Sequence, residues 1–107
     1  MAESTGRVTI AQEVLNTIAR LTTLSVPGVS HLGSRRALGR SGDGVEVVVN
    51  DNQVAVDVFV IVEPDHNLRE IGQMIQSEIA RSMQEIVGME AVTVNVHIQD
   101  VEAPAAR

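Results

Sequence analysis

Val92-Thr93-Val94-Asn95-Val96-His97-Ile98 sets a branched aliphatic residue at every second position and a polar residue between each pair. Successive side chains of an extended chain point to opposite faces of a sheet. The segment therefore predicts a strand with one face sealed in a core and the other presenting Thr93, Asn95 and His97. A face of that kind is a surface for contact, not a reaction centre.

Upstream, Val45 to Val49 and Val54 to Val62 read as two more strands. They are joined by Asn50-Asp51-Asn52-Gln53, whose Asn and Asp residues tolerate the left-handed backbone that a hairpin turn needs. Pro64-Asp65 ends the second of them. Asn67 followed by Glu70 then opens a helix, with an apolar stripe of Leu68, Ile71, Ile75, Ile79, Met83 and Ile86 and Gly88 as its C-terminal cap.

An earlier helix is announced by Thr9 with Gln12 three residues on, in the manner of a capping box. Its predicted buried stripe is Ile10, Val14, Ile18 and Leu21, and Pro27-Gly28 stops it after Leu24. Arg7 to Thr9 and Val29 to Leu32 are expected to add short strands. Gly33 to Gly44, with four glycines and no periodicity, reads as a mobile loop.

A helix lying between two strands of one sheet favours parallel pairing of Val54–Val62 with Val92–Ile98, whereas the hairpin pairs antiparallel. The expected fold is α+β: a small mixed sheet with two helices packed on one face. The domain runs from residue 7 to 101, with flexible tails at 1–6 and 102–107. By alternation the opposite face carries Glu46, Val48, Ala55, Asp57, Phe59, Ile61, Glu63, Thr93, Asn95, His97 and Gln99. Of these, Val48, Ala55, Phe59, Ile61 and His97 form the expected interface.

Composition narrows the chemistry. At 107 residues the chain fits one domain, and its net charge is −6, with all eight cations arginine. Apart from Arg35, Arg36 and Arg40 these are scattered, and Phe59 is the sole aromatic residue. The electrostatic footprint and stacking platform of a nucleic-acid binder are both missing. Without cysteine there is no thiolate nucleophile or thiolate-bound zinc, and without lysine there is no Schiff-base amine.

Gly39, Gly42 and Gly44 precede a strand instead of following one, so they do not make a phosphate cradle. Gly39-Arg40-Ser41-Gly42-Asp43 misses the nucleophile elbow at its last position. His31, His66 and His97 lie far apart, and His66 beside Glu63 and Asp65 reads as a solvated turn. The expectation is no catalytic residue, no metal and no cofactor.

The first twenty residues lack a basic segment followed by an apolar one. The longest nearly apolar run, Val54 to Val62, is about half a membrane span and contains Asp57. A cytoplasmic chain that does not insert into membranes is expected.

Five separated motifs carry a family resemblance: Gly6 to Ala19 (GRVTIAQEVLNTIA), Val26-Pro27-Gly28-Val29, Gly44-Val45-Glu46-Val47, Val54 to Val62 (VAVDVFVIV) and Val94-Asn95-Val96-His97-Ile98. Together, over residues 6 to 101, the chain resembles the alkaline shock protein family of bacterial envelope stress proteins. Pro64-Asp65-His66 departs from the glycine-containing turn usual there. The resemblance implies a non-enzymatic, self-associating adaptor that responds to envelope stress and reaches the membrane through an anchoring protein. It supplies no catalytic residues. Three other classes stay open: a regulatory subunit of a larger enzyme; an enzyme, for which no polar constellation is visible; and a KH-like RNA-binding module, against which stand the acidic charge and the missing Gly-x-x-Gly loop between helices.

Overall fold

A computed structural model describes residues 5–35, 44–51 and 53–103. The order of elements is helix α1 (Gln12–Leu24), strand β1 (Val29–Leu32), strands β2 (Val45–Asn50) and β3 (Gln53–Val62), helix α2 (Leu68–Ser82) continued by a π-helical turn over Met83–Val87, and strand β4 (Ala91–Val101). The fold is α+β, as the segment pattern predicts.

Strand β3 is the axis of the sheet. Its valines at 54, 56, 58, 60 and 62 are all buried beneath the helices. On one flank β2 pairs antiparallel with it from Val45↔Val58 to Asn50↔Gln53, and β1 continues along the same flank from Val29↔Val62 to Leu32↔Val60. On the other flank β4 runs parallel to β3 from Gln53↔Ala91 to Val62↔Val101, with a register shift between Val60 and Ile61. The sheet is therefore mixed, as the crossover argument requires. The hairpin turn is tighter than the four residues first assigned to it, and Asp51 takes the left-handed conformation with φ 59°.

β1 and β2 meet end to end at one residue of β3. Gly33 N–H donates to the Phe59 carbonyl at 2.6 Å, and Phe59 N–H donates to the Gly44 carbonyl at 2.7 Å. A Cβ on Gly44 would lie 2.5 Å from the Phe59 carbonyl oxygen and 3.0 Å from Gly33 N, so close approach of backbones demands glycine there. The mobility expected between these glycines falls on residues 36–43, which lie outside the described residues, as do most residues of the two tails.

Helix α2 begins as predicted: the Asn67 side chain accepts from Glu70 N–H at 3.0 Å. It ends as predicted too, at Gly88 with φ 84°. Ile71, Ile75, Ile79 and Met83 fill the core, but Leu68 and Ile86 are exposed. Ile86 sits in the π-helical turn, whose wider winding carries it away from the core while Val87 packs inward.

Helix α1 departs further from expectation. It starts at Gln12 after an extended Ala11, and no side chain caps it. Gln12 does not fold back on Thr9; its amide donates to the Val47 carbonyl and ties the helix start to β2. Arg7 to Thr9 form no strand. The buried stripe is Leu15, Ala19 and Thr23, while Ile10, Val14 and Leu21 are exposed, Leu21 to 62%. Both stripes have helical spacing, and Ile18, partly buried, borders both. The deeper one is inward because it carries the small residue: fully buried Ala19 lets α1 approach its neighbours closely. Thr23 is tolerated beside it because its hydroxyl donates to the Ala19 carbonyl at 2.7 Å.

This assignment is testable by urea denaturation. Leu15→Ala should lower stability by about 2–5 kcal/mol, whereas Leu21→Ala should change it by less than about 0.5 kcal/mol. Equal costs would return Leu21 to the core.

Candidate functional site

Both helices cover the same face of the sheet, and the opposite face has no helix over it among the described residues. Alternation along β2, β3 and β4 brings the predicted interface residues together on this outer face. Val48 lies opposite Ala55, and Phe59 lies opposite His97. The face nevertheless divides into a closed half and an open half.

The closed half is centred on Phe59. Its ring stacks on the His97 ring with centroids 4.5 Å apart and planes 12° from parallel. His97 Nε2 in turn lies 3.1 Å from Asp57 Oδ1. Phe59 is only 1% exposed and Ile61 8%, so these two are covered within the chain and are not the open apolar patch that alternation suggests. Gln99 adds a clamp: its Oε1 accepts from Ser34 N–H at 3.0 Å, and its Nε2 donates to the Ser34 carbonyl at 2.8 Å. Gln99 falls at the register shift, between Ile98 opposite Val60 and Asp100 opposite Ile61. The extra residue of a bulge is re-aimed in this way. Alternation places Gln99 on this face, but no local signal in the sequence pairs it with a residue 65 positions away.

The open half lies toward the hairpin. Val48 is 53% exposed, and Ala55 is half-buried beside it. With Asn50, Gln53, Ala91 and Thr93 they line a shallow depression. The three histidines are not brought together. His31 Nε2 sits 3.9 Å from Glu102 Oε1, and His66 Nε2 sits 3.6 Å from Glu63 Oε1 at the turn where Asp65 has φ 68°. No group of three potential metal ligands occurs among the described residues. No helix among them is long and apolar enough to cross a membrane.

A mixed four-stranded sheet with two helices on one side and a partly closed, partly apolar surface on the other defines a small α+β module. The chain belongs to the alkaline shock protein 23 family, which has a cell envelope-related function; the match spans residues 1–103.

It is similar to the uncharacterized protein YqhY of Bacillus subtilis (strain 168), 25% identical over 105 residues, covering 91% of this chain and 78% of that one. It is also similar to YloU of the same organism, 20% identical over 106 residues, covering 90% and 88% respectively. Among solved structures it resembles the MamM C-terminal domain, residues 215–293, with TM-score 0.56 and 15% identity over 83% of this chain and 100% of that one. The copper form of the MamM domain gives TM-score 0.59 at 15% identity, over 90% and 92%. At such identity the likeness is one of fold alone.

The closed half has a measurable cost of disruption. Phe59→Ala should destabilise the chain by about 3–5 kcal/mol, as for a fully buried aromatic residue. His97→Ala, which removes the stacked ring and its contact with Asp57, should cost less, about 0.5–1.5 kcal/mol for the stacked pair. A negligible effect of Phe59→Ala in thermal denaturation would mean that its ring is not part of the folded interior.

Proposed function

We propose that this protein is a non-enzymatic, self-associating adaptor in the cell-envelope stress response, and that the open half of its outer sheet face is a contact surface. The observation that carries the reading is Val48: a valine on a regular strand, more than half exposed, lining a depression together with Ala55. Exposed apolar groups rimmed by polar ones are characteristic of contact sites. Membership in a family with a cell envelope-related function supports the cellular setting.

His97 completes the surface. Its ring is held by Phe59 beneath and Asp57 beside it, so it presents a fixed polar edge next to the apolar depression. Phe59 and Ile61 act from below, by stiffening the strand that carries the contacts. The membrane is reached through a protein anchor in this reading. A chain of net charge −6 is repelled by anionic headgroups, so the anchor's contact free energy must exceed that repulsion.

Sedimentation tests the contact. The wild type should associate at roughly tens of micromolar, where even a modest specific interface is populated. Val48→Asp should shift it toward monomer with unchanged thermal stability. A monomeric wild type at that concentration would refute self-association.

The membrane route has its own test. The purified protein should not co-sediment with anionic liposomes at physiological salt. Strong binding to protein-free liposomes would show a membrane determinant in the chain itself and replace the anchor.

A further inference from the structure

We propose that β4 is a homotypic pairing edge, at which a second copy of the chain adds its own β4 antiparallel about a two-fold axis at Asn95. The proposal names a surface for the self-association inferred above and rests on that reading, but it concerns the strand edge and not the outer face. Strand β4 is 11 residues long, pairs with β3 on one side, and has no strand on its other side among the described residues. An edge of this length offers a row of backbone donors and acceptors to any incoming strand. Folded proteins ordinarily blunt such edges with charge, proline or shortness. From Ala91 to Gln99 the strand contains no charged residue and no proline, in a chain of which 21% is charged.

The occupant follows from the order of residues. Reading outward from Asn95 in both directions, Val94 is matched by Val96, Thr93 by His97, Val92 by Ile98 and Ala91 by Gln99. Antiparallel pairing about Asn95 therefore sets aliphatic against aliphatic on the helix side and Thr93 against His97 on the outer side, with Ala91 meeting Gln99 at the ends. This is the self-complementarity that an isologous contact requires. An unrelated strand would have to reproduce the same alternation.

The helix side has a place for the partner. Helix α2 leaves Val92, Val96 and Ile98 only half buried, and a groove lined by Leu68, Arg69, Gly72, Gln73, Gln76, Val96 and Ile98 runs between the helix and the edge. Gln76 Nε2 donates to the Val94 carbonyl at 3.1 Å, so an incoming strand must share or displace that one bond; no strand lies beyond it among the described residues. Pairing would join two four-stranded sheets into one. The partner's valines and α2 would then cover the half-buried row from the far side.

Asn95 gives a test specific to this register, because on the two-fold axis it faces its own copy. Its side chain is exposed, so substitution leaves the monomer's core untouched. Asn95→Lys and Asn95→Asp should each weaken self-association at least about tenfold in analytical ultracentrifugation, because like charges fall directly opposite. An equimolar mixture of the two variants should associate again as a heterodimer.

The chain has no native cysteine, so Asn95→Cys places a single thiol on the axis. Directly opposed residues of antiparallel strands have Cα atoms about 4.5–5.5 Å apart, within disulfide range, so mild oxidation should give a covalent dimer. If both charge variants associate like the wild type, or neither associates and their mixture stays monomeric, the axis at Asn95 is wrong. If the wild type associates but Asn95→Cys does not cross-link, the edge proposal falls while self-association stands. A monomeric wild type removes both.

Discussion

Every element of the fold is tied to the burial of one face of β3. Its five inward valines, at 54, 56, 58, 60 and 62, are each 2% exposed or less. At about 25 cal/mol per Å2 of apolar surface, each contributes roughly 1.5–3 kcal/mol, but only if backbone groups on both flanks find partners. That condition brings β2 and β1 along one side and β4 along the other. The same valines call for two helices above them. Their inward stripes meet over the sheet: Leu15 and Ala19 from α1, and Ile71, Ile75 and Ile79 from α2.

Sealing one face leaves the other with no helix over it among the described residues, and these close only half of it. β1 and β2, each paired with β3 along its length, meet at Phe59, whose two backbone groups bond to Gly33 and Gly44. Over that junction His97 stacks on the ring, and Gln99 holds both backbone groups of Ser34. Around Val48 and Ala55 nothing comparable is present among the described residues. Stiffness at one end and an apolar opening at the other suit a surface that binds without reorganising. Affinity then depends on the contacts themselves and not on the entropy of ordering them.

Most of the architecture was legible from period and punctuation. The alternation in Val92 to Ile98 and the Val-rich hairpin predict the strands. Asn67 with Glu70 and the terminal Gly88 bracket α2, and the helix between β3 and β4 implies their parallel pairing. Two kinds of information were not available from local pattern. In α1, two stripes of helical spacing compete, and the less apolar one, Leu15, Ala19 and Thr23, turns inward because Ala19 lets the helix approach its neighbours closely. On the outer face, alternation assigns Phe59 and Ile61 to the correct side but cannot say whether that side is covered. His97 stacks on the Phe59 ring and Gln99 reaches Ser34, contacts between residues far apart in the chain. Thr9 with Gln12 has the form of a capping box, yet the Val47 carbonyl, distant in sequence, takes the amide instead.

The central claim is that the layerless side of the sheet and its open β4 edge are where copies of this chain meet. Amide hydrogen exchange on the wild-type protein, compared between dilute and concentrated solution, addresses it most directly. Slow exchange for the inward residues of β3 is expected at every concentration, because their protection arises within one chain. Protection at β4 and around Val48 should rise with concentration, while the exposed side of α1 should not change. Protection that is independent of concentration along β4, or a rise confined to α1 around Val14 and Leu21, would contradict the account.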